Sequence, residues 1–132
     1  MTTEELAVLA ANRAFYQVFA RRDYDAMDAL WSQKSNIACI HPGWHVLHGR
    51  SEVMASWKAI LESDAAPEIE CSQAHAVVVG DSAFVTCVET LSEAELVATN
   101  IFVREDGGWR LVHHQAGPFA RRPPRAAREA LN

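Results

Sequence analysis

The sequence predicts an α+β domain, three helices followed by a long meander of strands, and three observations predict it. Apolar residues recur at helical spacing from Leu6 to Phe19 and again from Val53 to Leu61. From Glu68 onward, four strand-like runs of eight residues or more are separated by turn-forming clusters. At 132 residues, 49% hydrophobic and 22% charged, the chain is long enough for one soluble domain to bury a core.

Taken in order, Thr2-Thr3-Glu4-Glu5 opens the first helix, with Thr2 as N-cap and Glu5 completing a capping box. Leu6, Leu9, Ala10, Phe15 and Phe19 carry its apolar face as far as Arg22. Asp23 caps a second helix whose apolar residues are Met27, Leu30 and Trp31. Asn36–His41 reads as a short strand, with Ile37, Cys39 and His41 on one face, and it breaks at Pro42-Gly43. Ser51 is the expected cap of a third helix, which ends at Asp64-Ala65-Ala66-Pro67. The strands Glu68–Val79, Ser82–Leu91, Glu95–Arg104 and Trp109–Ala116 complete an α-α-β-α-β-β-β-β order, with helices on one face of the sheet. The domain spans 1–119. The tail 120–132, with Arg121-Arg122-Pro123-Pro124-Arg125, is expected to be mobile, with a helical turn over Ala126–Leu131 as an option.

Charge and cysteine usage narrow the function classes. The net charge of −5 hides an asymmetry, because residues 117–132 hold four arginines and one glutamate. The remainder has eight basic against sixteen acidic residues, an acidic body that argues against nucleic acid as partner. No apolar run approaches the roughly 20 residues needed to span a bilayer, and no apolar leader opens the chain, so a cytoplasmic protein without a membrane role is expected. Cys39, Cys71 and Cys87 are odd in number and widely spaced, which reads as free thiols. His41, His45 and His48 lie within eight residues, but a Pro-Gly turn interrupts them, so no metal site is expected. No Gly-rich phosphate loop is present, and no cofactor is implied.

Several short stretches carry a resemblance. They are an aromatic helix ending Arg21-Arg22-Asp23-Tyr24-Asp25, then Ala29-Leu30-Trp31, His41-Pro42 and Gly49-Arg50, with Phe102-Val103 and Gly108-Trp109-Arg110-Leu111-Val112-His113 closing the sheet. Together these resemble the cone-shaped nuclear transport factor 2-like superfamily, and within it the SnoaL-like and ketosteroid-isomerase-like branches. The resemblance covers residues 4 to 119. It implies a curved sheet enclosing a ligand pocket and a homodimer through the outer sheet face. It also implies that His41 occupies the place of the isomerases' carboxylate base, that Asn100 occupies the place of their oxyanion-donating acid, and that Phe15 replaces their oxyanion tyrosine. Tyr16 is adjacent but turned about 100° around the helix. Steroid isomerisation itself is therefore not expected.

The residues support that placement and leave alternatives. His41 is a candidate general base, because imidazole titrates near neutral pH; the alternative is a strand-end histidine satisfied by a carbonyl. Asn100 is a candidate donor to an oxyanion, or an amide satisfied by neighbouring side chains. Strand parity with Trp109 and Leu111, together with the resemblance, places His113 inside, as a third catalytic candidate, and His114 at the outer face. Glu89 shares a face with Val85 and Cys87 as an inward carboxylate, unless it reaches solvent at the strand end. Phe15, Trp31, Trp44, Trp57 and Phe102 would line a pocket for a small apolar or aromatic molecule, or form plain core, with Trp44 as a lid. The expected function is a cofactor-independent isomerase, lyase or hydrolase working by acid–base catalysis. The alternative is a non-catalytic dimer that binds a ligand or associates with another protein.

Overall fold

A computed structural model describes residues 1–120, so both readings of the Arg/Pro-rich tail lie outside the described residues apart from Ala120. Helix α1 (Thr3–Arg21) starts as its capping box requires. Thr2 Oγ accepts the Glu5 amide, and Glu5 Oε1 accepts the Thr2 amide. The helix ends on Arg22, which adopts the left-handed conformation at φ 56°. The Arg22 guanidinium donates to the carbonyls of Ala66 and Pro67 at 3.0 and 2.9 Å, tying the end of α1 to the loop before the long sheet. Asp23 caps α2 (Tyr24–Leu30) by accepting the Ala26 amide.

Strand β1 (Ala38–Ile40) is followed by a two-residue strand, β2 (Leu47–His48), which periodicity did not reveal. Cys39 pairs with Leu47 and Ala38 with His48. This pairing carries the chain into α3 (Gly49–Glu62), whose N-cap is His48, three residues before the expected Ser51 cap. Gly49, at φ +81°, makes the bend and donates its amide to the Ile37 carbonyl at 2.8 Å. His48 provides no side-chain cap; Glu52 instead accepts the His48 amide. Arg50 fastens α3 to α2, donating to the Trp31 and Ser32 carbonyls and pairing with Asp28 at 2.6 Å.

Strands β3 (Glu70–Val79), β4 (Ser82–Thr90), β5 (Glu95–Glu105) and β6 (Gly108–Pro118) form the antiparallel meander. Strand β1 adds in parallel to β6, giving a mixed six-stranded sheet in the order β2-β1-β6-β5-β4-β3. Two irregularities bend it. In β3, Ser72 and His75 face Val88 and Thr86, so Gln73 and Ala74 oppose Cys87 alone, with Gln73 at φ 55°. In β6, Leu111 and His113 face Phe102 and Ile101, leaving Val112 as the extra residue.

The core lies between the helices and the inner face of this sheet, centred on Phe15, Trp31, Trp57, Phe102 and Leu111. A buried carboxylate closes one end: Glu105 accepts from Ser32 Oγ at 2.5 Å and from the Gln33 amide at 2.9 Å. Among the described residues, no helix is long and apolar enough to cross a membrane.

Candidate functional site

A cavity of about 340 Å³ opens between α1, α3 and the inner sheet face. His41 enters it from the end of β1. Ile37, Cys39 and His41 are all buried, as their alternation predicts. The Trp44 amide donates to the His41 carbonyl at 2.9 Å, and Gly43 sits at φ +80°; Pro followed by a left-handed Gly is the pattern of a type II turn. The turn brings the Trp44 ring edge-on to His41, with centroids 4.9 Å apart, while the side chain stays 48% exposed at the cavity mouth. Trp57 also packs edge-on against the imidazole, at 4.7 Å.

Hydrogen bonding assigns the His41 tautomer. His41 Nε2 lies 2.8 Å from Ser56 Oγ, and Ser56 Oγ lies 2.6 Å from the Val53 carbonyl. Two oxygens that close need a proton between them, so the single hydroxyl proton goes to Val53. Nε2 must then be the N–H that donates to Ser56. Nδ1 keeps its lone pair, with only the Cys39 sulfur 4.0 Å away. Burial lowers the His41 pKa to about 4, so the ring is neutral at physiological pH. Burial likewise pushes the Cys39 thiol up to about 12, which leaves it inert.

The opposite wall carries a second network. Asn100, fully buried, donates both amide protons, one to Asn12 Oδ1 at 2.8 Å and one to Tyr16 Oη at 3.2 Å. Its Oδ1 must therefore accept, and His114 Nδ1 donates to it at 2.5 Å. That fixes the N–H of His114 on Nδ1 and leaves Nε2 bare, 4.0 Å from Glu89 Oε2. Tyr16 donates its hydroxyl proton to the same Glu89 oxygen at 2.7 Å.

Burial lowers His114 to about 3, helped by His41 and His113, and burial raises Glu89 against the opposing effect of the Tyr16 hydrogen bond. Burial thus disfavours the charged form of both groups. Burial and the neighbouring Glu89 raise Tyr16 as well, so it stays a phenol. The cavity presents two neutral imidazoles, one buried carboxyl group and one phenol within an otherwise apolar wall.

The comparisons with known proteins bear on what such a cavity is. The SnoaL-like domain profile matches residues 8–120. The chain belongs to the SnoaL-like family. A structure from Streptomyces avermitilis, described as a proposed dehydratase of the NTF2-like family, shares 34% identity and a TM-score of 0.82, covering 90% of this chain and 98% of that one. A proposed calcium/calmodulin-dependent protein kinase type II association domain from Thiobacillus denitrificans shares 32% identity and a TM-score of 0.75, over 84% and 94% of the two chains. The F-box protein SKIP8 of Arabidopsis thaliana is 26% identical over 112 residues, 83% of this chain. The chain spans about half, 48%, of that relative's length. The expected superfamily and SnoaL-like branch are thereby shown, as is the α+β class.

Within this SnoaL-like cavity, Phe15, Trp44, Trp57 and Glu89 stand on the wall as expected. Trp31 and Phe102 do not line it; they are fully buried core beneath it. Asn100 does not line it either and has no amide proton left for a ligand. The expected sides of His113 and His114 are reversed. The extra residue at Val112 shifts strand parity, so His114 turns inward, while His113 is half-buried on the outer face and bonds the Ala38 carbonyl. His45 and His48 are exposed, and among the described residues no group of three or more His, Cys, Asp or Glu gathers as a metal-ligand set.

Sequence reasoning missed Tyr16, Ser56 and Asn12. One signal was available for two of them: Val8, Asn12, Phe15, Tyr16 and Phe19 form a wide buried stripe at i, i+4, i+7, i+8 and i+11. An asparagine and a tyrosine four residues apart on such a stripe mark a polar group the core must satisfy.

Proposed function

We propose that this domain binds a small molecule in the cavity and acts on it by cofactor-independent acid–base chemistry of the lyase or isomerase type. The observation that carries this reading is the pairing, in one apolar cavity, of a neutral imidazole with a free lone pair and a buried carboxyl group whose acid form burial favours. A neutral base and a carboxyl raised by burial suit proton transfer in both directions. In a dehydration, His41 Nδ1 removes a proton from the carbon next to a carbonyl, and the C–H electrons form a C=C bond as the C–O bond on the adjacent carbon breaks. The acid form of Glu89 protonates the departing hydroxyl, which leaves as water. His41 gains one proton and Glu89 loses one, so exchange of one proton from His41 to Glu89 through solvent restores the site. Tyr16 holds the carboxyl, and Asn100 is a positioning residue for Tyr16 and His114. Similarity to the proposed dehydratase from Streptomyces avermitilis supports the lyase reading, and the free thiols fit a cytoplasmic setting.

The test is turnover of small β-hydroxy ketones, enones and epoxides by the wild type, His41→Ala and Glu89→Gln. Loss of at least 100-fold in either variant, with the fold intact by circular dichroism, supports the roles. Equal turnover in all three removes both residues from the mechanism.

A second reading is favoured by a separate observation. The outer sheet face carries a run of half-exposed apolar side chains in register, Phe84 beside Ile101 and Val88 beside Val97. Such a face suits a homodimer, and the likeness to the proposed kinase association domain supports an assembly role. Light scattering that finds a monomer at micromolar concentration removes this reading.

A further inference from the structure

The hydrogen-bonding pattern of the cavity narrows what it can hold, granted the reading above that this cavity is the ligand site. Fourteen residues line it, and none is Lys, Arg or Asp. Its ionisable members are Tyr16, His41, Glu89 and His114, and each is tied to another protein group. Ser56 fixes the His41 tautomer from behind, and Asn100 fixes that of His114, so two imidazole nitrogens carry lone pairs and no proton. Glu89 Oε2 accepts from Tyr16, which leaves Oε1 without a hydrogen-bond partner among the described residues. The polar groups thus offer two imidazole acceptors and one carboxyl group, and no cation. Toward the mouth the wall is Trp44, Ile60, Pro67, Leu91 and Leu96.

A carboxylate or phosphate placed here would be buried without a counter-charge and would meet imidazole lone pairs, which repel it. A hydroxyl suits these groups, because it donates to an imidazole lone pair and brings no charge into the apolar wall. The volume of about 340 Å³ corresponds to roughly eleven waters at ~30 Å³ each, or a molecule with on the order of a dozen non-hydrogen atoms.

We infer that the site selects an uncharged, mainly apolar molecule of about that size, entering with a hydroxyl group foremost, and that it rejects organic anions.

Isothermal titration calorimetry at pH 7 with 2-naphthol, 2-methoxynaphthalene and 2-naphthoate tests this, since the three share one ring system and differ only at the polar end. Naphthol is expected to bind at least 10-fold more tightly than either of the others. Leu96→Trp, checked for an intact fold by thermal unfolding, should abolish its binding by filling the cavity. Naphthoate binding as tightly as naphthol, with Leu96→Trp abolishing it, overturns the selectivity and leaves the cavity as the ligand site. The methoxy compound matching naphthol overturns the requirement for a hydroxyl. Binding that survives Leu96→Trp, or none by any member, overturns the ligand site and this inference together.

Discussion

Lowering the pH should unfold this protein through its buried histidines, and His114→Gln should relieve a defined part of that loss. An unfolded histidine titrates near 6.5, whereas the folded chain holds His41 at about 4 and His114 at about 3. Between those limits the unfolded chain binds more protons than the folded one. Stability therefore rises with pH through this window and falls as pH drops from 6.5 toward 4. At about 1.4 kcal/mol per pH decade, each histidine costs on the order of 2 to 3 kcal/mol between pH 7 and pH 4.5. Set against a total of about 5–15 kcal/mol for a domain, the pair consumes a large share.

Gln at position 114 keeps an N–H for Asn100 Oδ1 and cannot titrate. Urea denaturation of both proteins at pH 7, 6, 5 and 4.5 measures the difference, because the other ionisable groups are common to both. The expected result is a variant less stable than wild type at pH 7 whose decline toward pH 4.5 is shallower by about 2 kcal/mol. Parallel declines would refute the assignment of His114 as a buried neutral group.

Three further outcomes follow from the same contacts. Tyr16→Phe removes the donor to Glu89 and strands one Asn100 N–H, which should cost about 1–3 kcal/mol and lower the melting temperature by roughly 4–11 °C in a domain of this size. An unchanged melting temperature would show that the network is not closed as described. Arg50→Ala removes the tie between α3 and α2 and should cost about 1–3 kcal/mol, read by chemical denaturation. Trp44→Ala, at an exposed position on the cavity mouth, should change stability by less than about 1 kcal/mol. It should nevertheless weaken binding of 2-naphthol several-fold, as measured by calorimetry.

The order of helices and strands was legible because each rests on local signals. The Thr2 capping box, the Asp23 cap and the Gly80-Asp81 turn all stand where their chemistry puts them. Strand β2 was not legible: two residues carry no period, and pairing with β1 is a tertiary event. His41 was placed correctly because alternation holds over the short run from Ile37. His113 and His114 were exchanged because a bulge adds one residue, and nothing in Leu111-Val112-His113 announces it. Asn100 was singled out correctly as a buried amide that needs partners, but which partners depends on Asn12 and Tyr16, 88 and 84 residues away in sequence. Trp31 and Trp57 look alike in the sequence, and both are buried core, but only Trp57, on α3, also reaches the cavity wall.

The most direct measurement is the titration of Glu89 followed by the ¹³C shift of its carboxyl carbon in selectively labelled protein. The expected result is a midpoint above the 4.5 of an ordinary glutamate, with Glu89→Gln used to assign the signal. A midpoint at or below that value would contradict the burial of the carboxyl against neutral imidazoles on which the proposed chemistry rests.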